Sequence, residues 1–303
     1  MALEISSEMT TENFLRKIIS PDGVLQVTTI EHSGVTNNHP CSDFEEMVEK
    51  LTQLDCPTVD VYHACGAFRI PENRRADNVK SMKSFFLDID CGTEKAESGK
   101  GYQTKEDAQK ALTSFCDKCA LPVPMRVDSG GGLHIYWPLK EPISREVWKV
   151  VADKLKVLTK AHKFLVDQNR TADAASILRP IEHMNRKYNP PRVVKLLSDA
   201  DCISFEVFRA AIEKAFGSLP SASLMSRASC VSGLYETAPV LARAVNPNGF
   251  SLIEVEEALK EINPWCDRGP WMAIGMALAD AFGEEARDLF TRWSRGDLQG
   301  EQK

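Results

Sequence analysis

The stretch Ser84–Gly92, SFFLDIDCG, constrains this chain most. Phe85, Phe86 and Leu87 form a short apolar run of the kind that fills a strand buried on both faces. Asp88 and Asp90 follow. Alternate side chains on a strand share a face, so the two carboxylates point the same way, roughly 7 Å apart along the backbone. Two parallel carboxylates at the end of a buried strand are costly without positive charge between them. Hard oxygen ligands so arranged suit divalent cations, Mg²⁺ or Mn²⁺, as a pair. A strand end running into a polar turn at Cys91-Gly92 is the plainer explanation.

With 303 residues, 43% hydrophobic and 26% charged, the chain reads as a globular protein of one large or two ordinary domains. No apolar run approaches the ~20 residues that span a bilayer, which excludes a helical membrane protein. The first residues, MALEISSEMTTENF, have no signal-peptide pattern, and nine irregularly spaced cysteines do not suit a secreted disulfide framework. A cytoplasmic location is therefore expected. The net charge of −6 argues at first against nucleic acid. Between Glu141 and Lys195, however, twelve Lys/Arg face six Asp/Glu, and phosphate binding needs only a local basic face.

Before the aspartates, Val24–Ile30 and Thr58–His63 read as strands and Val35–Pro40 as a polar turn. Ser42 with Glu45 makes a capping box for a helix with Met47, Val48, Leu51 and Leu54 on its apolar face. The loop Pro71–Asn78 is basic, and Arg74, Arg75, Lys80 and Lys83 are either phosphate contacts or solvated charge. After the aspartates, Thr104 and Asp107 cap a helix ending at Cys116 and Cys119. A lone CxxC lacks half of a structural zinc site, so core packing is the expectation there.

The second informative stretch is DSGGGLHIYWP, Asp128–Pro138. Gly130, Gly131 and Gly132 let backbone N–H groups approach a phosphate, with Ser129 beside them, or simply make a hairpin bend. Leu133–Trp137 alternates as a strand with His134 and Tyr136 on one face. A helix over Ile143–Lys163 carries Lys149, Lys154, Lys156, Lys160 and Lys163 largely off its apolar face, as a solvated face or a flank for nucleic acid. Then Phe164-Leu165-Val166 reads as another buried run ending in a carboxylate, Asp167. Arg179, Asn185, Arg186 and Lys187 gather positive charge behind it.

In combination these motifs resemble the archaeo-eukaryotic primase superfamily, and within it the primase-polymerases of phages and mobile elements. The resemblance spans about residues 10–215 and rests on Arg75-Ala76-Asp77-Asn78-Val79, Asp88-x-Asp90, the Ser129…His134-x-Tyr136-Trp137 motif, Asp167 with Thr171-Ala172-Asp173, and Arg179 with Asn185-Arg186-Lys187. The chain departs where Ile181-Glu182-His183 replaces a Pro-Gly-Thr turn, and where Ser176 replaces an arginine. The resemblance implies an α+β fold: an RRM-like catalytic core with an α/β N-terminal unit, followed by a small all-helical domain. It also implies two Mg²⁺ or Mn²⁺ ions on Asp88, Asp90 and Asp167, with Asp173 in reserve for the third position. Ser129, Gly130, Gly131, Gly132, His134, Arg179 and Lys187 would hold the nucleotide triphosphate. The implied activity is a DNA-templated nucleotidyltransferase that primes and extends on single-stranded DNA, using NTPs or dNTPs. A replicative helicase, fused or associated, is the implied further partner. The alternatives are a sugar-nucleotide transferase using the DxD pair and a nucleic-acid-binding relative without catalysis.

Residues 217–248 begin with the small, polar GSLPSASLMS and read as a linker between a 1–216 catalytic domain and a 249–303 helical domain. Ser251 and Glu254 form a capping box, Pro270 starts a helix through Phe282, and Gly283 ends it. Trp271…Ala273-Ile274-Gly275…Trp293-Ser294 is similar to the helical domain that follows the catalytic domain in such primases, where it assists initiation. Packing of the two tryptophans in a small core is the alternative.

Overall fold

The computed structural model describes residues 9–219, 252–264 and 268–298. The chain divides into two compact units, within 1–236 and within 237–303.

In the first unit, β1 (Leu25–Glu31), β2 (Thr36–Cys41), β3 (Val59–Ala64) and β8 (Ile177–Leu178) form a four-stranded sheet in the order β2-β1-β3-β8. A five-stranded sheet, β11-β6-β7-β5-β4, takes β4 (Gly66–Phe68), β5 (Val79–Asp90), β6 (Met125–Asp128), β7 (Gly132–Ser144) and β11 (Lys195–Ser198). The short strands β9 (Met184–Asn185) and β10 (Arg192–Val193) pair antiparallel. The helices α1 (Thr11–Ile18), α2 (Phe44–Leu54), α3 (Thr93–Glu97), α4 (Lys105–Cys119), α5 (Arg145–Ala161) and α6 (Phe205–Gly217), with a short 3-10 turn at Ala76–Asn78, complete this unit's described elements. The α+β architecture expected from the sequence is present, and an all-helical unit follows it.

The apolar run before the aspartates is the middle of β5, and its antiparallel partner is β7. Opposed residues on such a pair share a face. Phe85 pairs with Trp137 on the face covered by helices, where the Phe85 ring stacks 4.4 Å from Phe208 of α6 and 5.8 Å from Trp148 of α5. The other face carries Tyr136, edge-on to Phe14 of α1 at 5.6 Å, and also Asp88 and His134, which oppose one another. Burial on both faces explains why this strand reads as continuous hydrophobic residues up to Asp88.

Three expectations are corrected. Residues 36–41 are not a turn but the edge strand β2, held by its ladder with β1; polar TNNHP gives no alternation because its side chains are largely exposed. The α2 cap lies one residue later than Ser42: Asp43 accepts the Glu46 N–H at 2.8 Å, while Glu46 accepts the Ser42 N–H at 2.6 Å. Residues 164–167 are not a strand. Phe164 is buried against Phe115 at 4.7 Å, so the apolar signal there reports packing rather than sheet pairing. The cap at Thr104 and the helix that follows it stand as read, and the helix expected over Ile143–Lys163 is α5, which begins two residues later behind a cap at Ser144.

In the second unit, α7 (Leu252–Lys260), α8 (Arg268–Phe282) and α9 (Arg287–Arg295) surround a small core of Leu259, Leu278, Leu289 and Leu298 with a fully buried Trp293. Trp293 Nε1 donates to the Ile262 carbonyl at 3.0 Å, and Phe290 lies between Trp293 and Trp271, with ring centroids 5.8 and 4.9 Å away. Gly283, with φ +60°, ends α8 as expected. Ser251 and most of the expected linker lie outside the described residues.

Cys116 and Cys119 are free and buried, and burial pushes their thiols up to about 12 and about 11. A thiolate is what binds zinc, so their environment suits packing. No helix among the described residues is long and apolar enough to cross a membrane.

Candidate active site

The acids converge from two segments. β5 delivers Asp88 and Asp90, and the coil after α5 returns to it, where the Asp167 N–H donates to the Asp88 carbonyl at 2.8 Å. Between the Asp88 and Asp167 carboxylates stands Arg170, which the sequence reading did not single out. Its Nε is 3.2 Å from Asp88 Oδ2 and 3.3 Å from Asp167 Oδ2. Its Nη1 donates to the Ile177 carbonyl on β8 at 2.5 Å. Asp90 is met separately by Lys95 of α3, at 2.8 Å.

Burial pushes the Asp88 carboxyl up to about 6, with Asp90 and Asp167 adding to the shift and Arg170 and Arg179 opposing it. The hard oxygens of this cluster suit Mg²⁺ or Mn²⁺ in kind, and Asp88, Asp90 and Asp167 are the residues that would hold them. As placed, Arg170 and Lys95 supply the counter-charge. Among the described residues no group of three or more His, Cys, Asp or Glu stands ready to hold a metal ion. Asp173 is turned to local work, accepting the Ala175 N–H at 3.0 Å and the Ser176 hydroxyl at 3.3 Å.

On the same face, His134 is buried, with Nε2 3.8 Å from Asp88 Oδ1 and Nδ1 without a hydrogen-bond partner. Burial, and then the Arg179 charge, hold its pKa well below the ordinary value, so the imidazole is neutral. Arg179 is 8% exposed and stacks over Tyr62 at 4.6 Å. It donates to the Tyr62 hydroxyl at 2.6 Å and pairs with buried Asp60 at 3.4 Å, yet its Nε has no partner. Desolvation and the neighbouring Arg179 depress the Lys187 ammonium. His134 and Lys187 thus each sense Arg179, and all three interact with Asp88. The structure brings them together with the three acids, although they come from four separate stretches of chain.

The glycine loop is built differently from the expected nest. Gly130, with φ +83°, directs its N–H to Asp128 Oδ1 at 2.8 Å, and the Ser129 N–H donates to the Gly132 carbonyl at 3.0 Å. Those two donors are already used. A Cβ on Gly132 would overlap the Ile89 carbonyl oxygen, so glycine there lets β5 and β7 pair up to Asp90. Asn185 Nδ2 donates to the Ser129 carbonyl at 2.7 Å and ties the loop to the Lys187 segment. Asn78 likewise serves its own loop, donating to the Ile70 and Asn73 carbonyls at 2.8 and 2.6 Å. Arg74 bonds the Ala175 carbonyl and Asn38, and Lys83 the Arg16 carbonyl. Neither is a spare phosphate contact as placed.

Residues 255–300 match the family model Primase C terminal 2 (PriCT-2). No curated protein matches the chain. Among solved structures, the chain is similar to the AEP domain of the cyanophage S-2L primase-polymerase at 13% identity and a TM-score of 0.44, over 64% of this chain and 89% of that one. It is also similar to the catalytic domain of primase RepB′ in complex with initiator DNA, at 13% identity and a TM-score of 0.42, over 68% and 89%. For primase RepB′ the identity is 13% and the TM-score 0.42, over 92% and 90%.

Proposed function

We propose that this chain is a DNA-templated primase-polymerase, a nucleotidyltransferase acting on single-stranded DNA with NTPs or dNTPs in the cytoplasm, in replication of a phage or mobile element. Residues 1–216 would be its catalytic domain, 217–248 a linker and 249–303 a helical domain that assists initiation. A replicative helicase is the proposed further partner. The observation that carries this reading is the pairing of a buried acid cluster with two unpartnered buried nitrogens, His134 Nδ1 and Arg179 Nε, both of whose side chains interact electrostatically with Asp88. A buried polar atom left unpaired is costly unless a ligand completes it, and a nucleotide's phosphates suit these nitrogens.

In this reaction a 3′-hydroxyl oxygen bonds to the α-phosphorus of the incoming nucleotide while the bond to the β-phosphate oxygen breaks, releasing pyrophosphate. Divalent cations on Asp88, Asp90 and Asp167 would lower the pKa of that hydroxyl and neutralise the leaving group. Arg179 and Lys187 would face the triphosphate, with Asp60 and Tyr62 holding the guanidinium in place. His134, neutral, would donate one hydrogen bond to a phosphate oxygen, and Ser129 with Gly130–Gly132 would form the wall beside it. With two loop N–H groups engaged internally, the cationic side chains carry most of the phosphate charge.

One observation favours a second reading, a nucleic-acid-binding relative without catalysis: Arg170 already bridges Asp88 and Asp167. A sugar-nucleotide transferase would use the DxD pair but leaves Arg179 and Lys187 unexplained. Titrating Mn²⁺ while following labelled nucleotide into polymer on single-stranded DNA separates the three. Saturable Mn²⁺ binding and polymer, both lost in Asp88→Asn/Asp90→Asn, support the polymerase. Absence of both supports the binding relative.

A further inference from the structure

Each of the three acids already has an oxygen engaged by a cation of the protein itself. Asp90 Oδ2 meets Lys95 at 2.8 Å. Asp167 Oδ1 accepts the Asn169 N–H at 2.8 Å, and its Oδ2 lies 3.3 Å from Arg170 Nε. The same nitrogen is 3.2 Å from Asp88 Oδ2. A guanidinium Nε carries one hydrogen, so it cannot donate fully to both carboxylates. Both contacts are also longer than the roughly 2.7–2.9 Å of a directed charge-assisted bond. Charge, more than bond geometry, holds Arg170 between the acids.

The two guanidiniums of the site differ in how firmly they are fixed. Arg179 is buried, stacked on Tyr62 and paired with Asp60. The Arg170 side chain is 33% exposed. Its backbone is pinned, the Arg170 carbonyl accepting from the Asp173 N–H at 3.1 Å and from the Ser176 hydroxyl at 3.2 Å. Beyond the acids, its side chain is tied through Nη1 to the Ile177 carbonyl. A fixed backbone with a solvent-reached head lets the guanidinium leave the acids while the turn stays folded. A divalent cation brings two charges to arginine's one, and coordinates carboxylate oxygens at about 2.0–2.1 Å.

We infer that Arg170 is a built-in counter-ion which divalent cations must displace, so that its grip on Asp88 and Asp167 sets the metal concentration at which the site loads. The inference rests on the metal-dependent reading of the three acids. It turns the bridge that favours a non-catalytic relative into a device of the enzyme: without metal, Arg170 offsets the repulsion between Asp88 and Asp167. Arg170 is thus a positioning residue, acting through the two carboxylates.

The test measures Mn²⁺ binding to the full chain by calorimetry, without nucleic acid or nucleotide. Arg170→Gln removes the charge, whereas Arg170→Lys keeps it on an ammonium that reaches as far as Nε. Apparent affinity falls with the fraction of molecules whose acids are free. With Arg170 on them in about nine molecules of ten or more, Arg170→Gln should bind Mn²⁺ at least about tenfold more tightly than wild type. Arg170→Lys should stay within about threefold of wild type, and Lys95→Gln, which frees Asp90 from an exposed partner, should gain no more than about threefold. In chelator Arg170→Gln should melt below wild type, and Mn²⁺ should raise its melting temperature by more than it raises that of wild type. An equal gain in Arg170→Lys or Lys95→Gln overturns the assignment. If Arg170→Gln does not fold, the wild-type chain decides. Its Arg170 Nε–H NMR signal, assigned by its absence from Arg170→Lys, should lose protection from solvent exchange as Mg²⁺ is added, and protection that persists at saturation overturns the assignment. Wild type binding Mn²⁺ as tightly as Arg170→Gln refutes only the counter-ion role. Binding by Arg170→Gln but not by wild type supports that role and refutes catalysis by the wild-type chain. Binding by neither overturns both.

Discussion

At the scale of single residues, the site stores unfavourable charge. The folded Asp88 value, about 6, lies above the 3.8 of an unperturbed carboxyl. The native state therefore binds this proton more tightly than the unfolded chain, and stability falls as pH rises from about 4 to about 6, with the full penalty above that. On the order of 3 kcal/mol is at stake. Asp88→Asn should raise the melting temperature of the metal-free protein at pH 7.5 by ~5 °C while abolishing synthesis; a lower melting temperature would contradict this. His63 acts in the opposite direction. Burial among Phe14 and Tyr136 pushes it down to about 4 from 6.5, so the unfolded chain takes up a proton that the native state refuses. Stability is then lost as pH falls from 6.5 towards 4, and His63→Gln should flatten that limb in pH-dependent denaturant titrations. Asp88, Asp90 and His134 were legible because strand alternation fixes which side chains share a face. Arg170 was not, since it reaches both acids through a turn that leaves no periodic signal.

At the scale of elements, the pairing of β5 with β7 holds the site, and its closest approach is at Gly132. Gly132→Ala forces a Cβ into a backbone carbonyl that cannot rotate away. It should cost ~3 kcal/mol by urea titration and synthesis with it, against less than ~0.5 kcal/mol for Gly99→Asn at an exposed left-handed turn with open space around it. The glycine run was read as a phosphate cradle from its composition. In the fold each glycine answers a neighbour: Gly130 a left-handed turn, Gly131 the Tyr188 ring, Gly132 the Ile89 carbonyl. Strands and capped helices buried on one side or both were readable in advance, because burial imprints a period on the sequence. The edge strand β2 and the Asp167 coil were not, because hydrogen bonds to backbone hold them and backbone carries no side-chain signature.

At the scale of the whole molecule, the chain is two units with separate cores, so damage to one should leave the other folded. Trp293→Ala removes the largest buried side chain of the small helical core and its bond to Ile262. A loss of ~4 kcal/mol is expected, enough to unfold a unit of this size. Calorimetry should show the first unit's transition unmoved. Extension of a supplied primer should persist while unprimed synthesis falls at least about tenfold; equal loss of both would contradict a role confined to initiation. The central claim is tested most directly by incubating the protein with single-stranded DNA, labelled nucleotides and Mn²⁺, without any primer. The account predicts short products bearing a 5′-triphosphate, absent with a chelator and absent in Asp88→Asn/Asp90→Asn. Wild-type yields from that double variant, or no product from the wild-type chain, would contradict it.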